Sequence, residues 1–229
     1  MENHTKKIEW DKYWNKEKER KIYDVIASFY REKIIKKTLN YFIKSYFKKG
    51  SSILHAGCGS GEVDTVIRNY IKISAFDISD NALKIYKEIN GENSDTIKGD
   101  ILKMPFENEK FDGIYNLGVM EHFEENEVIL ILKEFHRILK PEGKIILFIP
   151  PEYGLSVIFF KILKSVFKYL FFNKNIRFHP DEVCRIKSKK HALSLIDKGG
   201  FTSIRYYFGI KDFYTYAIIV AEKDAIQIQ

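Results

Sequence analysis

Apolar residues recur along the chain at two periods, and the places where one period gives way to the other predict its elements. From Trp10 to Tyr46 they fall at three- and four-residue steps (Ile22, Val25, Ile26, Phe29, then Ile34, Ile35, Leu39, Phe42, Ile43, Tyr46), the spacing of two helices or one broken helix. Gly50 and Ser51 end that pattern. Ile53 to Ala56 reads as a short strand, Glu62 to Tyr70 as a helix, and Ile71 to Ile78 as a second strand. A helix over Asn81 to Ile89 closes at Asn90-Gly91, and a short strand lies around Thr96 to Lys98. Phe111 opens a fourth strand. Glu124 to Leu139 places Val128, Ile129, Leu132, Phe135 and Leu139 on one helical face, and Lys140-Pro141-Glu142-Gly143 stops it. Lys144 to Ile149 has the apolar run of a strand buried on both faces. Ser188 caps a helix carrying Ala192, Leu195 and Ile196, which ends at Gly199-Gly200. The apolar runs Phe201 to Phe208 and Phe213 to Ala221, joined at Gly209 to Asp212, read as a hairpin.

Leu155 to Phe172 does not fit this alternation. Six aromatic residues lie among Ile, Leu and Val, and Lys161, Lys164 and Lys168 share a narrow helical stripe. Three charges in that run argue against a spanning helix. Two readings stay open: a lid buried against the core, or an interfacial helix with its aromatics in lipid and its lysines at headgroups.

The length of 229 residues suits one α/β domain with accessory elements. The expected divisions are an N-terminal helical cover (1–50), a ligand-binding core (51–150), an apolar and basic insertion (151–187), and a C-terminal helix with its hairpin (188–229). Cys58 and Cys184 give neither a disulfide framework nor zinc spacing, so no metal is expected. Met1 to Trp10 lacks an apolar signal region, and a cytoplasmic protein, with peripheral membrane association through 155–172 left open, is the expectation. Charge is uneven: 14 basic against 7 acidic residues in 1–50, 11 against 18 in 51–154, and 10 against 3 in 155–200. Basic covers over an acidic core suggest an anionic acceptor or surface, or simply lysine-rich solvated faces.

The candidate chemistry centres on His55-Ala56-Gly57-Cys58-Gly59-Ser60-Gly61-Glu62, where a strand breaks into three glycines before a helix. Glycine permits backbone angles with φ above zero and a close approach of ligand to main chain. A dinucleotide fingerprint would need glycine at position 62, where Glu62 stands, and a phosphate-binding P-loop would need a Gly-Lys-Ser/Thr ending. Asp77 follows Gly57 by twenty residues, the interval at which a nucleotide-binding βαβ unit places a carboxylate on the ribose hydroxyls. Gly99-Asp100-Ile101 and Phe111-Asp112 through Asn116-Leu117-Gly118 to Glu121-His122 complete the set.

In this order the motifs resemble those of class I S-adenosylmethionine (SAM) dependent methyltransferases acting on small molecules. The resemblance implies a doubly wound, Rossmann-like α/β fold with a seven-stranded sheet, mostly parallel with the last strand antiparallel, under an N-terminal helical cover and with a helical insertion after the fifth strand. It implies SAM as cofactor, bound by His55, Gly57, Cys58, Gly59, Gly61, Asp77, Ile78, Asp100, Ile101, Asn116, Leu117 and Gly118, with Asp77 on the ribose and Asp100 and Ile101 on the adenine. At His55 the sequence departs from the family, many of whose members carry an acid there to engage the SAM amino group or order the loop. Tyr23, Tyr30, Arg31, Arg177 and His179 are the acceptor-side candidates, Arg31 also as a partner for the SAM carboxylate, and His122 and His179 are candidate bases.

The implied reaction is SN2 methyl transfer to a small-molecule or lipid- or glycan-linked acceptor, in which the protein mainly aligns and excludes water. Packing or capping competes with catalysis for His122, and solvent exposure competes with ligand binding for the basic groups. The rival classes are a noncatalytic SAM-binding or structural protein and a nucleic-acid methyltransferase. The amino-methyltransferase tetrapeptide Asn/Asp-Pro-Pro-Tyr/Phe is missing from the fourth-strand exit, so nucleic acid is not the expected partner.

Overall fold

The computed structural model describes residues 10–14, 30–155, 157, 158 and 183–224. The expectations for Tyr23, Arg177, His179 and most of the 155–172 run lie outside the described residues. Among those residues no helix is long and apolar enough to cross a membrane.

A π-helical turn, Arg31–Ile35, runs into α1 (Lys36–Tyr46), which buries Leu39, Phe42 and Ile43 against the sheet. Then come β1 (Ser52–Ala56), a 3-10 turn (Glu62–Val66), β2 (Lys72–Asp77), α2 (Asp80–Asn90), β3 (Asp95–Lys98) and β4 (Phe111–Leu117). A 3-10 turn at Met120–His122 leads to α3 (Glu125–Ile138), whose start is fixed by reciprocal bonds between Glu124 and Glu127. β5 (Leu139–Ile149), α4 (Lys189–Lys198), β6 (Phe201–Tyr207) and β7 (Ala217–Lys223) complete the chain. The Ser188 hydroxyl caps α4 by accepting from the His191 N–H, as its sequence position predicts.

The strands form one sheet in the order β3-β2-β1-β4-β5-β7-β6. β1 to β5 are parallel, and β7 runs antiparallel to both of its neighbours. Alternate residues of each central strand enter opposite cores. Leu54, Ile114 and Ile145 meet α3 and α4 residues such as Leu132, Phe135 and Leu195. Ile53, Tyr115 and Ile146 meet Leu39, Phe42 and Ile43 of α1. This two-faced burial is why the β5 run is continuously apolar.

Three predicted boundaries move, each for a local reason. The run expected as a helix from Glu62 to Tyr70 is a 3-10 turn followed by further i→i+3 closures, with the Ile67 N–H donating to the Asp64 carbonyl and the Tyr70 N–H to that of Ile67. Tight winding there accommodates the inward pull on the Asp64 side chain, which is fully buried. Helix α3 stops just before Lys140 to Gly143, as expected, but β5, expected from Lys144, already begins at Leu139 and takes those residues into a bulge. Phe111 pairs with Leu139 and Gly113 with Lys144, so the extra residues leave the ladder, and Glu142 takes φ 61°. Pro141, with no N–H to donate, is accommodated in that unpaired stretch. The extended run expected from Phe213 begins only at Ala217, because Phe213 and Tyr214 both adopt left-handed backbone (φ 53° and 56°) and the Asp212 carboxylate accepts from the Tyr216 N–H at 2.6 Å.

Gly113 shows how closely β4 is packed: a Cβ there would collide with the Phe47 ring and the Ile53 side chain. Gly113→Ala is expected to destabilise the protein by about 1–3 kcal/mol, read from the midpoint of urea unfolding at unchanged slope.

Candidate cofactor and acceptor site

Strand order reverses direction between β1 and β4, so the loops leaving their C-terminal ends separate and open a crevice. The glycine loop fills one side of it. Gly57, Gly59 and Gly61 have φ of 72°, 51° and 65°, values that side-chain-bearing residues rarely adopt. Space is equally restrictive. A Cβ on Gly57 would strike Val119, one on Gly61 would strike Tyr86, and one on Gly59 would lie 2.7 Å from the Trp14 ring. The Gly57 and Cys58 N–H groups both donate to the Phe76 carbonyl, tying the loop to β2.

Asp77, at the end of β2, holds the loop from its side chain. Its Oδ2 accepts from the Gly59 N–H and its Oδ1 from the Ser79 N–H, each at 2.9 Å. Burial pushes its carboxyl pKa up, against the lowering effect of those N–H donors and of nearby His55. Asp77 is not the cap of α2; the Ser79 hydroxyl takes that role by accepting from the Ala82 N–H. Lone pairs remain on both carboxylate oxygens for hydroxyl donors. Ile78 follows immediately, half-buried.

At the β3 exit the Gly99 N–H donates to the Asp77 carbonyl, which brings Asp100 next to the β2 exit. The Asp100 side chain accepts from the Leu102 N–H at 2.9 Å, and Ile101, Met104 and Phe106 turn into the core. At the β4 exit the Asn116 side-chain amide donates to the Ala56 carbonyl at 2.6 Å. A carbonyl can only accept, so this bond fixes the amide orientation. Asn116 Oδ1 is left buried with no hydrogen-bond partner among the described residues. Leu117 and Gly118 (φ 68°) continue into the loop that carries His122.

Part of the expected N-terminal helical cover crosses this mouth. Residues 10–14 are helical. Asp11 accepts from the Ser79 hydroxyl at 2.6 Å and, through its carbonyl, from the Asn81 amide at 3.2 Å. Trp10 meets the His122 ring edge-on at 5.0 Å, and Trp14 lies against Gly59. Five residues therefore touch the exits of β1, β2 and β4. Helical periodicity alone could not distinguish this stretch from the rest of the N-terminal pattern.

A feature missed in the sequence lies beneath the loop. His55 is buried, and its Nδ1 is 2.9 Å from Asp64 Oδ2. The Tyr86 and Tyr115 hydroxyls also donate to Asp64, at 2.8 and 2.6 Å. Burial, reinforced by that carboxylate, raises both phenol pKa values, so the tyrosines stay protonated donors. One signal was available in the sequence: Asp64 shares an apolar helical stripe with Ile67 and Ile71.

The remaining candidates have protein partners. Arg31 Nε lies 3.2 Å from Glu62 Oε2, an exposed pair. The Tyr30 hydroxyl donates to the Asp212 carbonyl at 2.7 Å, and burial raises its pKa. Burial raises the Cys58 thiol well above its ordinary range, so it stays protonated and poorly nucleophilic. The Glu121 carbonyl accepts from the Val183 and Cys184 N–H groups, bringing the return of the insertion to the β4 exit.

Comparison with known proteins shows what this arrangement is similar to. A methyltransferase-domain family matches residues 54–147, from within β1 to near the end of β5. Over these residues the chain is similar to a methyltransferase domain. A demethylmenaquinone methyltransferase of Staphylococcus aureus is 23% identical over 178 residues, covering 69% of this chain and 70% of its own length. A SAM-dependent methyltransferase from Methanosarcina mazei superposes with a TM-score of 0.61 at 16% identity, over 80% of this chain and 96% of its own. The magnesium protoporphyrin IX methyltransferase of Synechocystis, solved with S-adenosylhomocysteine bound, superposes with a TM-score of 0.64 at 15% identity, over 97% and 96%. The seven-stranded mixed sheet expected from the sequence is the fold these structures share.

The chain's residues fit SAM as cofactor. The three glycines leave a cradle without Cβ atoms, Asp77 keeps lone pairs for hydroxyl donors, and Asn116 presents an acceptor with no partner among the described residues.

Asp212 ties the β6–β7 link to the N-terminal helices at the edge of this site, and burial raises its pKa from 3.8 to about 6. A carboxyl whose folded pKa is raised favours the folded state when protonated. That stability is complete below the unfolded value and is lost as pH rises towards the folded one. Chemical denaturation is expected to show a decline of roughly 2 kcal/mol between about pH 4 and 6, which Asp212→Asn removes.

Proposed function

We propose that the protein transfers a methyl group from SAM to a small-molecule acceptor that is largely apolar and carries an anionic group. Bound SAM would supply an electrophilic methyl carbon for the acceptor's lone pair, with sulfur as the leaving group. The chain contributes position and exclusion of water. The observation that carries the reading is the series of acceptors along one sheet edge: Asp77 for the ribose hydroxyls, Asp100 for the adenine amine, and Asn116 in the crevice between them and the acceptor. Residues 10–14 cover that series and limit solvent entry. His122 stands at the β4 exit, where a base would be required only for an acceptor whose proton is hard to lose.

The acceptor class is supported from two directions. The Staphylococcus and Synechocystis proteins are named for small-molecule acceptors, demethylmenaquinone and magnesium protoporphyrin IX. The rim beside the β5 exit is apolar and solvent-facing: Ile210 is 72% exposed, Phe213 55% and Leu155 52%, with Tyr153 and Tyr214 beside them. β7 starts opposite the end of β5, with Ala217 paired to Ile149, so this rim shares the edge that carries the cofactor residues. Continuity of Leu155 with the aromatic and lysine-bearing run up to Phe172 supports peripheral contact with an anionic membrane from which such an acceptor is taken.

Calorimetric titration with S-adenosylhomocysteine tests the cofactor reading: the unmutated protein is expected to bind, and Asp77→Ala to lose binding by 100-fold or more, on the order of two charge-assisted hydrogen bonds. Vesicles containing phosphatidylglycerol test the membrane contact. The protein is expected to sediment with them, and the double variant Ile210→Asp, Phe213→Asn to remain in the supernatant. Asparagine suits the left-handed backbone at position 213. Failure of the unmutated protein to sediment would leave the rim as an acceptor-binding lip without a membrane.

A further inference from the structure

The link between β3 and β4 is irregular, yet its backbone is held by the last turns of α3. Glu134 and Arg137 lie three residues apart on that helix and pair through two bonds, Arg137 Nε to Glu134 Oε1 at 3.0 Å and Nη2 to Oε2 at 2.8 Å. The guanidinium holds the Glu134 carboxyl below the usual carboxylate range, so the pair stays ionised. Both groups also reach the link. Glu134 Oε2 accepts from the Met104 N–H at 3.1 Å. Arg137 donates to the Met104 carbonyl at 3.1 Å, to the Phe106 carbonyl at 2.7 Å and to Asn108 Oδ1 at 3.0 Å. One acidic and one basic side chain thus hold both backbone groups of Met104. The helix end adds two bonds, from the Glu109 N–H to the Arg137 carbonyl and from the Lys110 N–H to the Ile138 carbonyl.

The residues just before Met104 show what this hold serves. The Gly99 N–H is tied to the Asp77 carbonyl at 3.0 Å, and the Lys103 N–H closes a turn on the Asp100 carbonyl at 3.0 Å. Within that turn the Asp100 carboxylate accepts from the Leu102 N–H. Asp100 therefore sits in a turn pinned at both ends, at the β2 exit through Gly99 and on α3 through Met104. Ile101, Met104 and Phe106 also bury their side chains in the core. Apolar contact has no direction, however, and tolerates small slips of the backbone. A hydrogen bond weakens steeply as its angle opens, so a carboxylate that must meet one amine needs a directional anchor.

We infer that Glu134 and Arg137 are positioning residues for the nucleobase, which set the Asp100 turn and thereby the selectivity of the site for a 6-aminopurine over a 6-oxopurine. The inference rests on the proposed cofactor reading, in which Asp100 accepts from the adenine amine. A 6-oxo group would face that carboxylate with a second acceptor and leave both unpaired. Both residues act through Asp100. The planar guanidinium suits the task, because its fork spans the carboxylate and two carbonyls that a single ammonium cannot bridge together.

Two ligands separate this role from a purely structural one. S-inosylhomocysteine keeps the ribose and the amino-acid arm of S-adenosylhomocysteine and replaces the 6-amino group by a 6-oxo group. Both are titrated by calorimetry into the unmutated protein, Arg137→Lys, Glu134→Gln, Asp100→Ala and the double variant Asp100→Ala, Arg137→Lys. Near-ultraviolet circular dichroism checks native packing. The unmutated protein is expected to favour S-adenosylhomocysteine by about 10-fold or more. Arg137→Lys and Glu134→Gln are expected to weaken that ligand by roughly 5- to 10-fold and to leave S-inosylhomocysteine within about twofold, so the preference collapses. Once Asp100→Ala has removed the acceptor, adding Arg137→Lys is expected to change S-adenosylhomocysteine binding by no more than about twofold.

Equal weakening of both ligands by Arg137→Lys and Glu134→Gln would overturn the inference in favour of a structural pair. An unchanged preference would overturn it too, as would effects of Asp100→Ala and Arg137→Lys that multiply in the double variant. Unmutated protein that binds both ligands alike removes the adenine role of Asp100 and leaves the cofactor reading in place. Unmutated protein that binds neither removes the cofactor reading itself, and in both cases the inference falls.

Discussion

Ile53, Leu54 and His55 of β1 lie in parallel register with Gly113, Ile114 and Tyr115 of β4, while β2 and β3 extend the sheet on the opposite side of β1. The placement of nearly every site residue depends on that pairing. Parallel strands direct their exits to one edge, and the reversal of order at β1 and β4 pulls neighbouring exits apart. The glycine loop, Asp77, Asp100 and Asn116 come from four different strand ends yet converge there. The same register places His55 on Tyr115 and so assembles the polar cluster beneath the loop. Small side chains make the pairing possible: Gly113 leaves the room that the Phe47 ring occupies.

Two carboxylates then divide the work of holding the loop. Asp77 grips it from the β2 exit through the Gly59 N–H, and Asp64 supports it from the core through His55 and two tyrosines. Each is buried, so each gains from donors aimed at it and would be costly without them. These bonds hold the left-handed backbone of the loop from within the chain. Preorganisation of this kind lowers the ordering penalty that binding would otherwise carry.

Local patterns made most of the sheet legible in advance. Apolar runs gave the strands, Ser188 acted as a cap where its position suggested, and the interval from Gly57 to Asp77 placed that carboxylate at the β2 exit. Misjudged features depended on contacts distant in sequence. Asp64 meets tyrosines 22 and 51 residues away, and nothing local distinguishes it from an ordinary surface acid except its apolar stripe. The β5 bulge is visible only against β4, since Lys140-Pro141-Glu142-Gly143 reads in isolation as a stop. Likewise, an N-terminal cover was expected, but which of its residues meet the site is visible only once Ser79, Gly59 and His122 have been brought to the same edge. Chemistry that resides in juxtaposition leaves a faint trace in a one-dimensional pattern.

The cover has a practical corollary. Trp10 and Trp14 are the only tryptophans in the sequence, one against the His122 ring and the other against Gly59. Indole emission responds to the polarity and the quenching groups of its immediate surroundings, and imidazole is such a group when protonated. Excited at the red edge, where tyrosine does not absorb, the protein's own fluorescence arises at the mouth of the crevice and nowhere else. The molecule therefore carries an unmodified optical reporter of events at the site, whichever ligand enters it.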